Sequence, residues 1–145
     1  MPRSMSLPIL LGLLATLSAC KTLGELRDQK TLQKTLDRYG AALRWGEWRS
    51  LAELRAPDAR PMPRLDFDNI RVTGYEVILP PVMKAPPNGK ETGQDEEVKE
   101  AVQLVRIEYV LKDEQRVKRI QDQQTWRYDP ESGQWRILSD FPGFE

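Results

Sequence analysis

Residues 125–138 read TWRYDPESGQWRIL, and the fold follows from how this stretch pairs with itself. Pro130-Glu131-Ser132-Gly133 is a four-residue loop that suits a type I turn closed by a glycine at positive φ. Pairing Asp129 with Gln134 then sets Tyr128 opposite Trp135 and Trp126 opposite Ile137. Both pairs put large apolar groups side by side, which is what stabilises an antiparallel ladder. The stretch predicts a β-hairpin with a defined register.

Working back from the hairpin, residues 117–128 (VKRIQDQQTWRY) place Ile120, Asp122, Gln124, Trp126 and Tyr128 on one parity. A strand sends one parity to one face, so if Trp126 and Tyr128 face a core, Asp122 and Gln124 face it too. KDEQR at 112–116 is a polar turn. AVQLVRIEYVL at 101–111 is apolar on both parities for much of its length, which predicts a central strand covered on both faces. In NIRVTGYEVIL at 69–79, Ile70 and Val72 alternate, and Tyr75, Val77 and Leu79 resume on the other parity. That phase change at Thr73-Gly74 predicts a β-bulge, which bends and twists a strand. Residues 80–99 hold four prolines and no apolar period, and read as a long mobile loop, either a hairpin tip or a partner contact.

The segment before the strands is helical. Leu32, Leu36, Tyr39 and Leu43 form the stripe of an amphipathic helix, and Leu23 and Leu26 extend it backwards. Gly46, between Trp45 and Trp48, reads as a break. A short second helix through Leu51 and Leu54 stops before Pro57. The four tryptophans are expected in the core between helix and sheet.

At the start of the chain, Arg3 precedes an uncharged run from Leu7 to Leu17, followed by Ser18, Ala19 and Cys20. Basic, apolar and small-residue segments in that order are the mark of a secretory signal. The run is shorter than the roughly 20 residues of a membrane span. Leu17-Ser18-Ala19-Cys20 resembles the lipobox of bacterial lipoproteins. That resemblance implies a leader over residues 1–19, a diacylglycerol (with palmitate-type chains) on the Cys20 sulfur, and Cys20 as the first mature residue. The alternative, an ordinary signal before an incidental cysteine, would leave an unpaired thiol in an oxidising compartment. Two or three acyl chains, at about 0.8 kcal/mol per CH₂, amount to roughly 20 kcal/mol of attachment. Lys21, rather than Asp, follows the cysteine, which by the same resemblance implies the outer membrane, periplasmic face, over the inner membrane.

Composition narrows the chemistry. Acids and bases balance at 22 each, so no basic surplus draws nucleic acid. The chain has no histidine and one cysteine. The commonest general base and metal ligand are therefore absent, and an acylated Cys20 leaves no thiol nucleophile. No metal site, cofactor or enzymatic activity is expected. The acidic groups Asp95-Glu96-Glu97 and Asp66 with Asp68 lack EF-hand spacing and read as solvated charge.

Two helices before a bent four-stranded antiparallel sheet make an α+β cone, with a helix across its concave face. The break LRWGEWRSL and the terminal TWRYDPESGQWRIL resemble the NTF2-like superfamily, also called cystatin-like or SnoaL-like. The resemblance spans residues 31–139. Members include isomerases, dehydratases, transport factors and envelope components, so it implies a fold and leaves the function open. The chain is thus expected to be a leader over 1–19 and one periplasmic domain over 20–145. Its expected role is a non-catalytic envelope lipoprotein that binds or scaffolds another envelope component. The alternative is a small hydrophobic-ligand binder using the concave sheet face, with Asp122, Gln124, Trp126 and Tyr128 as pocket candidates.

Overall fold

The computed structural model describes residues 16–84 and 98–145. The expected leader up to residue 15, and residues 85–97 of the expected loop, lie outside the described residues.

Helix α1 spans Thr16–Trp45 and α2 spans Trp48–Glu53. The stripe Leu32, Leu36, Tyr39 and Leu43, joined by Ala42, is the buried face of α1. It recurs at three- and four-residue spacing, so one side of the helix turns continuously to the sheet. The helix ends at Gly46, whose φ of 68° is left-handed. Gly46 N–H donates to the Leu43 carbonyl at 3.3 Å and Glu47 N–H to Ala42 at 2.9 Å. That pair of bonds is a Schellman termination, which favours glycine because a Cβ is strained there. Trp45 is a correction to the expected core: it is 80% exposed, two residues off the stripe and so on the helix's opposite side. Trp126 and Trp135 are fully buried, and Trp48 packs partly on the core.

The sheet has four antiparallel strands in sequence order: β1 Ile70–Met83, β2 Glu100–Leu111, β3 Arg116–Asp129 and β4 Gln134–Ile137. The terminal hairpin has the expected register, with Asp129 opposite Gln134, Tyr128 opposite Trp135 and Trp126 opposite Ile137. Gly133 closes its turn at φ 66°. The bulge appears between Val72 and Gly74, and two further register shifts follow between Val77 and Leu79 and between Leu79 and Val82. Strand β1 also runs on through Pro80 and Pro81 to Met83, where a loop was expected. An edge strand tolerates proline because half its N–H groups need no ladder partner.

Strand β2 departs from the two-sided expectation. Ala101, Gln103, Val105, Ile107 and Tyr109 are buried toward α1, whereas Val102, Leu104, Arg106, Glu108 and Val110 are only half-buried. On that outer face, cross-strand pairs take the place of a second layer: Arg106 with Glu76 at 2.9 Å and Arg119 with Glu108 at 2.7 Å.

Residues after β4 fold back over one end of the sheet. Leu138 N–H donates to Thr125 at 2.8 Å, and Phe141 and Phe144 meet Trp48 edge-on. Phe144 also meets Tyr109 at 4.9 Å between ring centroids. The outer edge of β4 is covered by residues 54–56, through Ile137 N–H to Leu54 and Ala56 N–H to Ile137, both 2.9 Å. Covering that edge removes a template for further strand pairing. The described chain is therefore α+β, a long helix with a short one on an open four-stranded sheet.

Candidate functional site

The side of the sheet that faces α1 carries the residues singled out from the sequence. Gln124 and Trp126 lie on it fully buried, and Asp122 and Tyr128 half-buried. The pairing of β2 with β3 sets Gln103 opposite Gln124 and Val105 opposite Asp122. From β1, Tyr75 is opposite Ile107 on the same face. Strand pairing thus gathers four polar side chains from three strands under one helix.

They are bonded chiefly to one another. Gln103 Nε2 donates to Gln124 Oε1 at 2.7 Å, and the Tyr75 hydroxyl donates to the same oxygen at 3.3 Å. Gln103 Nε2 also reaches the Tyr75 oxygen at 3.4 Å. Gln124 Nε2 donates to Asp122 Oδ2 at 2.9 Å. Each bond removes a desolvation penalty that an unpaired group would keep. Burial raises the Asp122 carboxyl above its ordinary range, opposed by the hydrogen bond from Gln124. Burial also pushes Tyr75 up to about 12, and raises Tyr39 together with the nearby Asp122 charge. Three atoms here lack a protein partner: Gln103 Oε1, the Tyr39 hydroxyl and Trp126 Nε1.

Packing limits what this cluster can do. Gly40 of α1 stands so close to Tyr75 that an added Cβ would lie 2.9 Å from the ring. Tyr39 packs edge-on against Trp126 at 5.3 Å. A groove of about 620 Å³ between α1 and β1 is lined by Leu36, Tyr75, Val77, Pro80, Pro81 and Gln103. Asp122 and Gln124 do not line it. A general base must come within hydrogen-bond reach of the proton that it removes, and Asp122 has no part in that groove's wall.

Tyr128 belongs to a different place. Its ring packs on Trp135 at 5.6 Å, and it lines two grooves at the sheet end near Lys99. Lys99 sits 5.7 Å from the Tyr128 ring centroid and 2.6 Å from Asp28 of α1. The four residues read from the sequence share a face of the sheet and divide between a packed cluster and an open end. Sequence reasoning missed Gln103, Tyr75 and Tyr39. Gln103 had one signal, being the single amide among the inward residues of β2.

Asp66 and Asp68 flank a 3₁₀ turn at Phe67–Asn69. Among the described residues, no three His, Cys, Asp or Glu side chains gather into a potential metal cage. Cys20 falls in the first turns of α1. Among the described residues, no helix is long and apolar enough to cross a membrane. The chain matches no protein-family model, no curated protein and no solved structure.

Proposed function

We propose that the chain is an envelope lipoprotein, anchored through Cys20 to the periplasmic face of the outer membrane, whose NTF2-like domain binds or scaffolds another envelope component without catalysis. One observation carries this reading: the concave face is filled by the protein's own side chains. Trp126, Leu43, Val105, Ile107 and Gln124 are fully buried there, and the amides of Gln103 and Gln124 bond each other. A domain whose interior is closed in this way works through its outside. There Trp45 stands exposed at the far end of α1, and exposed tryptophans are frequent anchors of protein contacts. The lipobox and the order of helices and bent sheet support the anchor and the NTF2-like assignment.

The test uses the full chain, expressed with its leader. Mass analysis of the N-terminal peptide is expected to find acyl chains on Cys20, and Cys20→Ser to release the protein from the membrane fraction. A photo-crosslinking residue in place of Trp45 is expected to give a discrete adduct with a second envelope protein in intact cells. An unmodified Cys20 removes the anchor, and crosslinks only within the chain remove the partner.

A second reading, binding of a small hydrophobic ligand, has one observation in its favour. The groove between α1 and β1 is walled by Leu36, Val77 and two prolines, and Gln103, whose Oε1 has no partner, also lines it. Native mass spectrometry of the purified protein separates the two readings, since a carrier is expected to retain a co-purifying small molecule.

A further inference from the structure

The geometry points to a second membrane contact: the end of the domain bearing Leu23, Leu26, Met83 and Val98 sits in the lipid interface beside the anchor. This inference rests on the lipoprotein reading and goes beyond it, because a lipid anchor fixes distance and leaves orientation free.

The first observation is the continuity of α1. The helix runs without a break from Thr16 to Trp45, so Cys20 and the packed stripe belong to one rigid rod. At about 1.5 Å per residue, Leu23 and Leu26 lie roughly 4.5 and 9 Å along the axis from Cys20. The polar interface of a bilayer is roughly 5–8 Å deep on each side of its hydrocarbon core. If acyl chains hold Cys20 at the hydrocarbon boundary, both leucines fall at interface depth.

The second observation is what these leucines do in the fold. Leu23 is 66% exposed and Leu26 48% exposed. They are three residues apart, hence on one side of the helix. The buried stripe starts only at Leu32. The anchor-proximal stretch therefore carries an apolar side that the domain itself does not cover.

The third observation is that the sheet contributes to the same end. Gly24, Arg27 and Asp28 of α1 line one groove of about 780 Å³ together with Met83, Val98 and Lys99. Val98 is 65% exposed, and Met83 is exposed beside it. Lys99 pairs with Asp28 and Lys84 with Glu100, so the charged groups of this end are held in pairs around the apolar ones. Apolar side chains with paired charges around them suit an interface that is apolar on one side and polar on the other. The occupant is lipid, because no linker separates this surface from the acyl-bearing residue and any protein ligand would have to displace the bilayer to reach it. Val117, at the opposite end of the sheet, faces away from it.

The test is made on the acylated full chain in vesicles of phosphatidylethanolamine and phosphatidylglycerol. With Cys20 blocked by lipid, single thiols introduced as Leu26→Cys, Val98→Cys and Val117→Cys each take one nitroxide label. All three positions are exposed, so the label displaces no core contact. Collision with oxygen against a water-soluble nickel chelate then reports depth. Labels at 26 and 98 are expected to be several-fold more shielded from nickel, and richer in oxygen collisions, than the label at 117. Equal nickel access at all three sites, in protein whose mass shows acylated Cys20, overturns the seating and leaves the anchor standing. A mass showing free Cys20 overturns both.

Discussion

Gln103 and Gln124 face each other across the β2–β3 ladder, both almost free of solvent exposure, with Nε2 of the first donating to Oε1 of the second at 2.7 Å. Neither amide has water or a charged partner of its own at that bond. The pair links the buried Asp122 carboxylate, through Gln124 Nε2, to the Tyr75 hydroxyl under α1. It makes the centre of the concave face a closed polar knot inside an apolar core.

That closure sets the outcome of replacing the amides by methionine, which keeps the side-chain length. Gln103→Met leaves Gln124 Oε1 with only the long Tyr75 contact, and Gln124→Met strips Gln103, Tyr75 and Asp122 of a partner. Each single change is expected to cost about 1–3 kcal/mol, the penalty of a stranded buried group. Gln124→Met should be the worse of the two. The double variant should lose less than the sum, with a coupling on the order of 0.5–3 kcal/mol in a urea-unfolding cycle. Strict additivity would show that the two amides do not act as a pair.

Asp122 gives the cluster a pH dependence with a definite sign. Its carboxyl is raised from 3.8 by burial, against the hydrogen bond from Gln124. The folded state therefore keeps the proton to higher pH than the unfolded chain does. The unfolding free energy contributed by this group accordingly falls as pH rises from 3.8 through the raised value, and is level beyond it. Asp58 and Asp129 are shifted down, by hydrogen bonds from Arg127 and Ser132 respectively, and work in the opposite sense on the acid side. The measurement is therefore the difference between wild type and Asp122→Asn, whose Oδ1 still accepts from Gln124. The variant is expected to be the more stable at neutral pH, with the gain fading as pH falls toward the ordinary carboxylate value. A gap that stays constant over that range would place the Asp122 carboxylate in water.

How much of this could be read beforehand depends on the distance over which the information acts. The hairpin register and the left-handed Gly133 were legible because turn chemistry and apolar pairing lie within fourteen residues. The Val72–Gly74 bulge was legible as a parity change within one strand. The Gln103–Gln124 contact needs two strands to be registered through the turn at 112–115, where Gln115 adopts a φ of 52° that no local rule demands of a glutamine. Trp45 was misplaced because hydrophobicity outweighed phase, although the spacing from Leu43 already put it off the stripe. The extension of β1 past Pro80 was hidden because proline stops strands only where both edges are paired.

Glycines of α1 offer a prediction of opposite signs within one helix. At Gly40 a Cβ would stand 2.9 Å from Tyr75 Cε1 and 3.1 Å from Cδ1. That ring is held by its hydroxyl's bond to Gln124, so it cannot swing away without breaking the knot. Gly40→Ala is expected to destabilise by about 1–3 kcal/mol, as overpacking does. At Gly24 nothing lies within 4 Å. Gly24→Ala should gain up to about 1 kcal/mol where the helix interior is solvated. Urea midpoints at constant slope measure both, and a tolerated Gly40→Ala would mean that α1 can lift from β1.

The terminal hairpin supplies the last test, of the feature from which the fold was read. Gly133 holds φ at 66°, and its N–H donates to the Asp129 carbonyl at 2.8 Å, closing the turn. An L-residue in that region costs about 1–2 kcal/mol, and asparagine less than alanine because its short polar side chain suits left-handed backbone. Thermal stability should therefore fall in the order glycine, Gly133→Asn, Gly133→Ala. At roughly 4–8 °C per kcal/mol for a domain near this size, the alanine variant drops by several degrees or more. The cross-strand pairs of Tyr128 with Trp135 and of Trp126 with Ile137 should survive in both variants, since apolar pairing rather than the turn holds the register. Contacts between the Trp126 and Ile137 side chains, followed by nuclear Overhauser effects, check that claim. Their loss in Gly133→Ala would transfer control of the register from the paired side chains to the turn.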